Sequence, residues 1–185
     1  MAESSPMAQQ GPLEPDSNES DTDDSDIREL AGQVLDLLCT RGDTLAIAES
    51  LTGGLVCAAL TDIPGASAVV RGGIVAYATD LKAALLGVPR GLLDRYGAVH
   101  PDVAAAMAEG ARLRLGARFS VATTGVAGPD PQDGQPVGTV HIAVAAEDDS
   151  VVRTVALPGD RAAVRARTVA ASLGLLLGRL REEMA

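Results

Sequence analysis

The sequence predicts an α/β domain in which helices cover both faces of a mostly parallel, mixed sheet, as an α/β/α layered fold. Three short apolar segments alternate with segments of helical periodicity between residues 25 and 125, which is the order of a parallel sheet. Two further apolar segments flank Asp148-Asp149 and precede a long amphipathic segment, which predicts an antiparallel hairpin and a final helix. No internal repeat, and no linker after residue 26, divides the chain.

Helices are predicted where apolar side chains recur at three- and four-residue spacing between residues that start or stop a helix. The first runs from Ser25, where Ser25 or Asp26 can cap it, to Gly42. Pro101 opens a helix, and Asp160 caps the last one, at 161–183. Shorter helices are predicted at 55–63, ending at Pro64-Gly65, and at 79–87, capped by Thr79 or Asp80, whereas "RGLLDRYG" is expected to form a small turn.

Strands are predicted at five short apolar runs, namely 44–48, 72–78, 119–125, 139–147 and 151–158. In a parallel sheet, sites form beyond the carboxyl ends of the strands, so the loops after the first three strands are expected to converge. Those loops hold most of the unusual polar residues of the chain: Glu49, Ser50, Thr52, Gly53 and Gly54 after the first, Tyr77 and Lys82 after the second, and Thr123, Thr124, Gly125 and Gly128 after the third.

The net charge of −10 arises mainly from the N-terminal segment. Eight of the 25 acidic residues precede Arg28, the first basic residue, and the remaining 17 acids face 15 bases. Residues 1–25 are rich in Ser, Asp, Glu, Pro and Gln, which predicts a disordered acidic tail before a single domain at 26–185. The near-balanced charge of that domain gives no basic face, so no nucleic-acid partner is expected.

The chain shows no sign of a targeting or membrane segment. It lacks the charged-then-apolar start of a signal peptide and any apolar run of 18 residues, so a cytoplasmic protein without a membrane partner is expected. Cys39 and Cys57 lie in apolar helical contexts and are expected to be buried free thiols without the neighbours of a zinc site. His100 and His141 are assigned structural roles, and neither a metal nor a cofactor is expected.

Lys82 is the only lysine of the chain, against 14 arginines. Arginine cannot lose its proton in a protein, whereas a desolvated lysine amine can. A Ser–Lys pair with the lysine as general base is a known variant of the activated serine. A solvated helix lysine explains the composition equally well, so both interpretations remain open at this point.

Ser50 lies in "AESLTGG", a polar elbow directly after the predicted strand "TLAIA". Spacing alone favours a helix cap over a nucleophile, and the two are partly compatible because a strand-to-helix elbow exposes its serine above the sheet. The N–H groups at Thr52–Gly54 could bind a phosphate or an oxyanion. Gly125 either turns the chain or presents an N–H to a reacting carbonyl. Tyr77 is expected to be half-buried, where its phenol could orient the lysine or donate to a substrate.

Nine blocks in this order resemble the CinA C-terminal-domain family, the nicotinamide-nucleotide amidohydrolase group. They are "AESLTGG", "PGAS", "GGIVAYATDLK", "LLGVP", "YGAV", "AMAEGAR", "TTGVAGPD", "PVGTVHIAV" and "GDRAAVR", and they cover roughly residues 27–182. The resemblance implies a deamidase that hydrolyses the carboxamide of nicotinamide mononucleotide to give nicotinic acid mononucleotide and ammonia. It also implies a homodimer.

The same resemblance assigns roles to individual residues. The family's serine, tyrosine and lysine match Ser50, Tyr77 and Lys82. Its Thr-Gly pair matches Thr124 and Gly125, which would help to form the oxyanion and amide-binding region. Ser50 would attack the carbonyl, Lys82 would accept and return the proton, and Tyr77 would relay or orient it.

The chain departs from the family at Leu51, where cysteine is usual, and at His100, where serine is usual. Leu51 adds bulk beside the serine and could reshape the pocket. Larger proteins of the family carry an N-terminal nucleotide-processing domain, whose activity is not expected from the acidic tail found in its place. Two other functions remain open: a catalytically silent nucleotide-binding or regulatory module, which the family's association with competence and DNA damage permits, and an amidohydrolase of a related pyridine nucleotide or small amide.

Overall fold

A computed structural model of the protein describes residues 20–147 and 149–183. Within these ranges a five-stranded sheet lies between two layers of helices, so the predicted α/β/α fold is confirmed. The tail prediction falls mainly on residues 1–19, which lie outside the described residues. The elements are α1 Ser20–Arg41, β1 Leu45–Glu49, α2 Leu55–Thr61, β2 Val70–Val75, α3 Thr79–Leu86, α4 Arg90–Tyr96, α5 Pro101–Leu115, β3 Phe119–Gly125, β4 Thr139–Ala145, β5 Ser150–Ala156 and α6 Arg161–Glu182.

The sheet has the strand order β2-β1-β3-β4-β5. β2, β1 and β3 are parallel, with Ile47 of β1 opposite Gly73 on one side and Val121 on the other. β4 and β5 are antiparallel to their neighbours and form the predicted hairpin. β1 is therefore flanked by parallel strands on both sides, and the carboxyl ends of β1, β2 and β3 meet at one edge of the sheet.

The two faces of the sheet differ in the size of their side chains. The face toward α1, α2 and α6 carries large residues, such as Leu45, Ile47, Phe119, Val121 and Ile142. Burial of each such side chain contributes about 1.5–3 kcal/mol. The face toward α3, α4 and α5 carries Ala46, Ala48, Ala122, Ala143 and Ala145. The core is thus built almost wholly from aliphatic residues, as the composition predicts. The small alanine side chains leave little space between the sheet and the layer of α3, α4 and α5.

The close packing of α5 fixes the position of α3. Gly110 of α5 lies against the end of α3, where a Cβ atom on this glycine would overlap the carbonyl oxygen of Leu86. The two helices share a buried cluster in which Met107 and Leu86 are almost wholly buried. This contact holds α3 beside the carboxyl ends of the parallel strands.

Several details differ from the sequence predictions. α1 begins at Ser20, within the segment assigned to the tail, and "RGLLDRY" forms the short helix α4 where a turn was expected. The predicted capping of α3 by Thr79 or Asp80 is wrong, because both residues are already helical and the N-cap position is Ala78, which makes no side-chain hydrogen bond. Cys39 and Cys57 are free thiols as predicted, but Cys39 is exposed and Cys57 is half-buried. None of the helices in the described ranges combines the length and apolar character that crossing a bilayer requires.

Candidate active site

Ser50 lies at the tip of β1, at the start of the turn to α2. Its backbone N–H donates to the carbonyl of Thr123 at 3.1 Å, which continues the ladder of the sheet. The chain then reverses through Gly53 and Gly54, whose φ angles of 60° and 103° belong to the left-handed region that favours glycine. Ser50 is 8% exposed, so the elbow holds its hydroxyl at the edge of the buried sheet.

Lys82 projects from the first turns of α3 toward that serine. Its side chain is fully buried, and its Nζ donates to Ser50 Oγ at 2.8 Å and to the carbonyl oxygen of Ala76 at 2.7 Å. The residues are 32 positions apart in sequence, so this pairing depends on the fold. The interpretation of Lys82 as a solvated surface lysine is therefore wrong.

The environment of Lys82 favours its neutral form. Burial lowers the pKa of the amine from 10.5 to about 8, while the negative charge of Asp133 opposes part of that change. About a tenth of the amine is then neutral at pH 7, far more than for an exposed lysine. The amine can therefore act as a proton acceptor near physiological pH.

Tyr77 follows β2 and lies at the mouth of the site. It is 57% exposed, which is more open than the sequence analysis expected. Its hydroxyl accepts a hydrogen bond from Arg161 Nη2 at 2.7 Å, and Arg161 Nη1 donates to the carbonyl of Gly128 at 2.8 Å. The phenol is thus oriented by Arg161, while the carbonyl of Ala76 takes the orienting contact with Lys82 that was expected of Tyr77.

Arg161 is the site residue that sequence reasoning missed. It lies in the first turn of α6, within "GDRAAVR", and it reaches the site from 84 positions beyond Tyr77. The only available signal was that this block belongs to the family resemblance, which does not reveal the function of its arginine. The long guanidinium group supplies the cation at the mouth of the site.

An open cavity connects these groups. Ser50, Lys82, Tyr77, Thr124, Gly125 and Arg161 line it, together with Leu51, Ala98, Val99, Val126, Ala127, Gly128, Asp130 and Gln132. Five residues predicted for the site from sequence therefore share one cavity. A larger groove between α1, α2 and α6 lies elsewhere and holds none of them.

The N–H groups predicted to bind an anion at Thr52–Gly54 are partly used within the chain, since Gly53 N–H donates to the Ser50 carbonyl and Gly54 N–H to Glu49. The carboxylate of Glu49 accepts hydrogen bonds from the N–H groups of Gly54, Val56 and Cys57 at 2.9, 3.1 and 2.9 Å. The Thr52 hydroxyl is fully buried and pairs with that of Thr123 at 2.8 Å. Thr52, Gly53 and Gly54 thus shape the elbow behind Ser50, and the start of α2 is already occupied by a carboxylate of the protein itself.

Thr124 and Gly125 end β3 on the cavity side. The Thr124 hydroxyl donates to the carbonyl of Ala98 at 2.7 Å, so it fixes a neighbouring loop. A Cβ atom at Gly125 would lie 2.5 Å from the carbonyl oxygen of Thr139, so close packing against β4 requires glycine here. Leu51, the departure from the family, is 4% exposed and packs in the core on the side of α2 and α6.

In the part of the chain that the structure describes, the histidines and the acidic groups are not arranged in the grouping that a metal ion needs. Within residues 24–147 and 149–183, no three or more His, Cys, Asp or Glu side chains are grouped so as to hold a metal ion. His100 caps α5, where its Nδ1 accepts from the Asp102 N–H at 3.2 Å. His141 pairs with Thr154 through Nδ1 at 2.9 Å. Both contacts agree with the structural roles assigned from sequence.

Comparison with known proteins gives one consistent result. The sequence model of the CinA C-terminal domain matches residues 27–180. A CinA-like protein of Frankia casuarinae is 58% identical over 147 residues, which is 80% of this chain and 34% of that protein. A putative competence-damage inducible protein of Desulforamulus reducens is 47% identical over 82% of this chain and 36% of its own length. The chain thus spans about a third of the length of these curated relatives.

Solved structures agree with the sequence relatives. The competence/damage inducible protein CihA of Agrobacterium tumefaciens superposes with a TM-score of 0.81 at 40% identity, over 84% of this chain and 96% of that one. A competence or damage-inducible protein of Enterobacter asburiae has a TM-score of 0.81 at 32% identity, over 83% and 98% of the two chains. Since the family model, the sequence relatives and the solved structures agree, the chain belongs to the family of the CinA C-terminal domain.

Proposed function

We propose that this protein is an amidohydrolase that deamidates nicotinamide mononucleotide to nicotinic acid mononucleotide and ammonia. The observation that carries the proposal is the 2.8 Å contact between Lys82 Nζ and Ser50 Oγ in a shared cavity. A buried amine with a pKa of about 8 beside a serine hydroxyl has the composition of a nucleophile–base pair. The choice of substrate rests on the family resemblance.

In the proposed mechanism the proton transfers use the contact between Lys82 and Ser50. The neutral amine of Lys82 accepts the hydroxyl proton as Ser50 Oγ bonds to the carboxamide carbon. The resulting ammonium then gives that proton to the leaving nitrogen, the C–N bond breaks, and ammonia departs from an acyl-serine. Water attacks the acyl carbon with Lys82 again as base, which releases the acid and restores the serine. The carbonyl of Ala76 keeps the amine directed at Ser50 throughout.

The tetrahedral intermediate needs N–H donors for its oxyanion. In strand-to-helix elbows the residue after the nucleophile commonly supplies one. Leu51 occupies that position and lines the cavity, and its N–H donates no hydrogen bond within the described chain. We assign it as one oxyanion donor. The end of β3 at Gly125 supplies the opposite wall of the amide subsite in this proposal.

Arg161 supplies the charge that a phosphate monoester requires. Guanidinium groups pair with phosphate through two parallel hydrogen bonds. Its present partners, the Tyr77 hydroxyl and the Gly128 carbonyl, are neutral, so a phosphate would compete with both for the same donors. This supports a mononucleotide over an uncharged amide as substrate.

The direct test is an ammonia-release assay with nicotinamide mononucleotide, run with and without added metal. The wild type is expected to turn over, and Ser50→Ala and Lys82→Ala are each expected to lose at least about 10³-fold in rate. Ser120→Ala is the matched control, because Ser120 is a fully buried serine that bonds to Ala108 outside the cavity. Absence of wild-type turnover in both conditions would reject this substrate, whereas turnover that survives Ser50→Ala would reject the mechanism.

A further inference from the structure

The loop after β3 ends in a tight turn at Gln132–Gln135. The two glutamines exchange backbone hydrogen bonds, with N···O distances of 3.2 and 2.8 Å. The two central residues, Asp133 and Gly134, have φ angles of 52° and 73°, as a type I′ turn requires. The turn therefore gives the Asp133 side chain a defined origin at the rim of the cavity.

The carboxylate of Asp133 binds the backbone of another segment. Its Oδ2 accepts hydrogen bonds from the N–H groups of Ala98 at 2.6 Å and Val99 at 3.3 Å. Gly97 makes this approach possible, because a Cβ atom there would lie 2.7 Å from Asp133 Cβ. Because Gly97 has no side chain, the Asp133 carboxylate can reach the N–H groups of Ala98 and Val99.

This contact completes the support of one cavity wall. Ala98 and Val99 line the cavity with Ser50 and Lys82. The N–H of Ala98 is bound by Asp133, and its carbonyl accepts the Thr124 hydroxyl at 2.7 Å. The wall is therefore fixed by two side chains, Thr124 from the end of β3 and Asp133 from the loop that follows it.

Asp133 also acts on Lys82 through its charge. Its negative charge raises the pKa of the amine, against the larger lowering effect of burial. Asp133 is the charged residue that raises the pKa of Lys82 among the described residues. The other charged groups on the elements around Lys82 are Asp80 on α3, Glu49 at the end of β1, Asp130 and Arg161 at the cavity, and Asp102, Glu109, Arg112 and Arg114 on α5.

We propose that Asp133 is a positioning residue of the active site, which fixes the Ala98–Val99 wall of the cavity that holds Ser50 and Lys82. The proposal rests on the proposed amidohydrolase function. It predicts two separable effects: loss of the hydrogen-bond acceptor loosens the wall, and loss of the charge favours the neutral amine.

Two variants separate these effects. Asp133→Asn removes the charge but keeps an acceptor oxygen, and Asn-Gly is a preferred type I′ turn. Asp133→Ala removes both charge and acceptor. Asp62→Asn is the control for net charge, since Asp62 is exposed at the end of α2 and does not line the cavity.

The effect of the Asp133 charge on the pKa of Lys82 can be measured without an activity assay. Lysine labelled with ¹³C at Cε gives a single resonance, because Lys82 is the only lysine of the chain. Its titration midpoint is expected at about pH 8 in the wild type, at a lower pH in Asp133→Asn and unchanged in Asp62→Asn. A midpoint that is the same in Asp133→Asn and the wild type overturns the predicted effect of the Asp133 charge on Lys82, whether or not any amide is hydrolysed.

Steady-state kinetics then test whether Asp133 holds the Ala98–Val99 wall in place. The rise of kcat/KM with pH is expected to move to lower pH in both Asp133 variants, while KM is expected to increase more in Asp133→Ala than in Asp133→Asn. Equal KM values in the two variants would overturn the role of the acceptor. If no substrate is turned over but the Lys82 midpoint moves as expected, the proposed function fails and the electrostatic role of Asp133 stands. Asp133→Asn keeps the charge test valid if Asp133→Ala does not fold.

Discussion

Replacement of Lys82 by methionine is expected to change how stability depends on pH. Methionine keeps an unbranched side chain of similar length and removes the buried amine. In the wild type the pKa of this amine is about 8 when folded and 10.5 in the reference state, so the folded protein loses the proton first. Between these values the unfolded chain binds more protons, and the stability of the wild type therefore rises with pH.

The size of the effect follows from the same two pKa values. The interval from about 8 to 10.5 corresponds to about 3 kcal/mol, at about 1.36 kcal/mol per unit of pKa. This cost of a buried charge is fully present below about pH 8 and is relieved as the pH approaches 10.5. Most of it, about 2–3 kcal/mol, is recovered between pH 7 and pH 10.

Urea unfolding of the wild type and Lys82→Met at pH 7, 8, 9 and 10 measures this difference. Subtraction of the two curves removes the groups that titrate alike in both proteins, so the wild type is expected to gain about 2–3 kcal/mol over the variant across the series. The absolute difference at pH 7 is not decisive, because the variant also leaves the carbonyl of Ala76 without its donor. Curves that stay parallel within about 0.5 kcal/mol would refute the assignment of a buried, destabilised ammonium.

Four further outcomes are expected. In the pH profile of kcat/KM, activity rises to a plateau through about pH 8, because the base must be neutral, and a flat profile from pH 6 to 9 would contradict this role. Glu49→Gln lowers the unfolding free energy by about 2 kcal/mol in urea titrations, since an amide cannot accept from three N–H groups as a carboxylate does. Gly110→Ala lowers the melting temperature through overlap with the Leu86 carbonyl, whereas Gly32→Ala, at a helical glycine with open space, leaves it unchanged or raises it. Arg161→Met raises KM for nicotinamide mononucleotide more than for nicotinamide riboside, and equal effects on both would exclude a phosphate contact.

Local sequence signals predicted the regular elements best where a start residue and a periodic pattern agree. β3 matches its prediction exactly at 119–125, α5 begins at Pro101 as expected, and Asp160 caps α6 by accepting from the Ala163 N–H. α4 was not predicted because its seven residues make only about two turns, which is too short for apolar side chains to show a helical periodicity.

The composition of the site was predictable, but its contacts were not. The order of strands brings the loops with Ser50, Lys82 and Thr124 to one edge, which follows from parallel topology alone. The Glu49 carboxylate occupies the start of α2 because of the direction its side chain takes after the strand. Residue spacing in the sequence does not predict that direction. The contact between Arg161 and Tyr77 joins elements far apart in sequence, so only the packed structure reveals it.

The alanine-rich face of the sheet limits how far apart the reacting groups can be. A lysine side chain can span only a limited distance. Lys82 reaches Ser50 because α3 belongs to the helix layer that packs closely on the small side chains of Ala46 and Ala48. A larger residue at either alanine would move that layer outward and open the 2.8 Å contact without touching the serine or the lysine. The thickness of one helix–sheet interface therefore sets the distance between Lys82 Nζ and Ser50 Oγ, the two atoms that exchange a proton in the proposed mechanism.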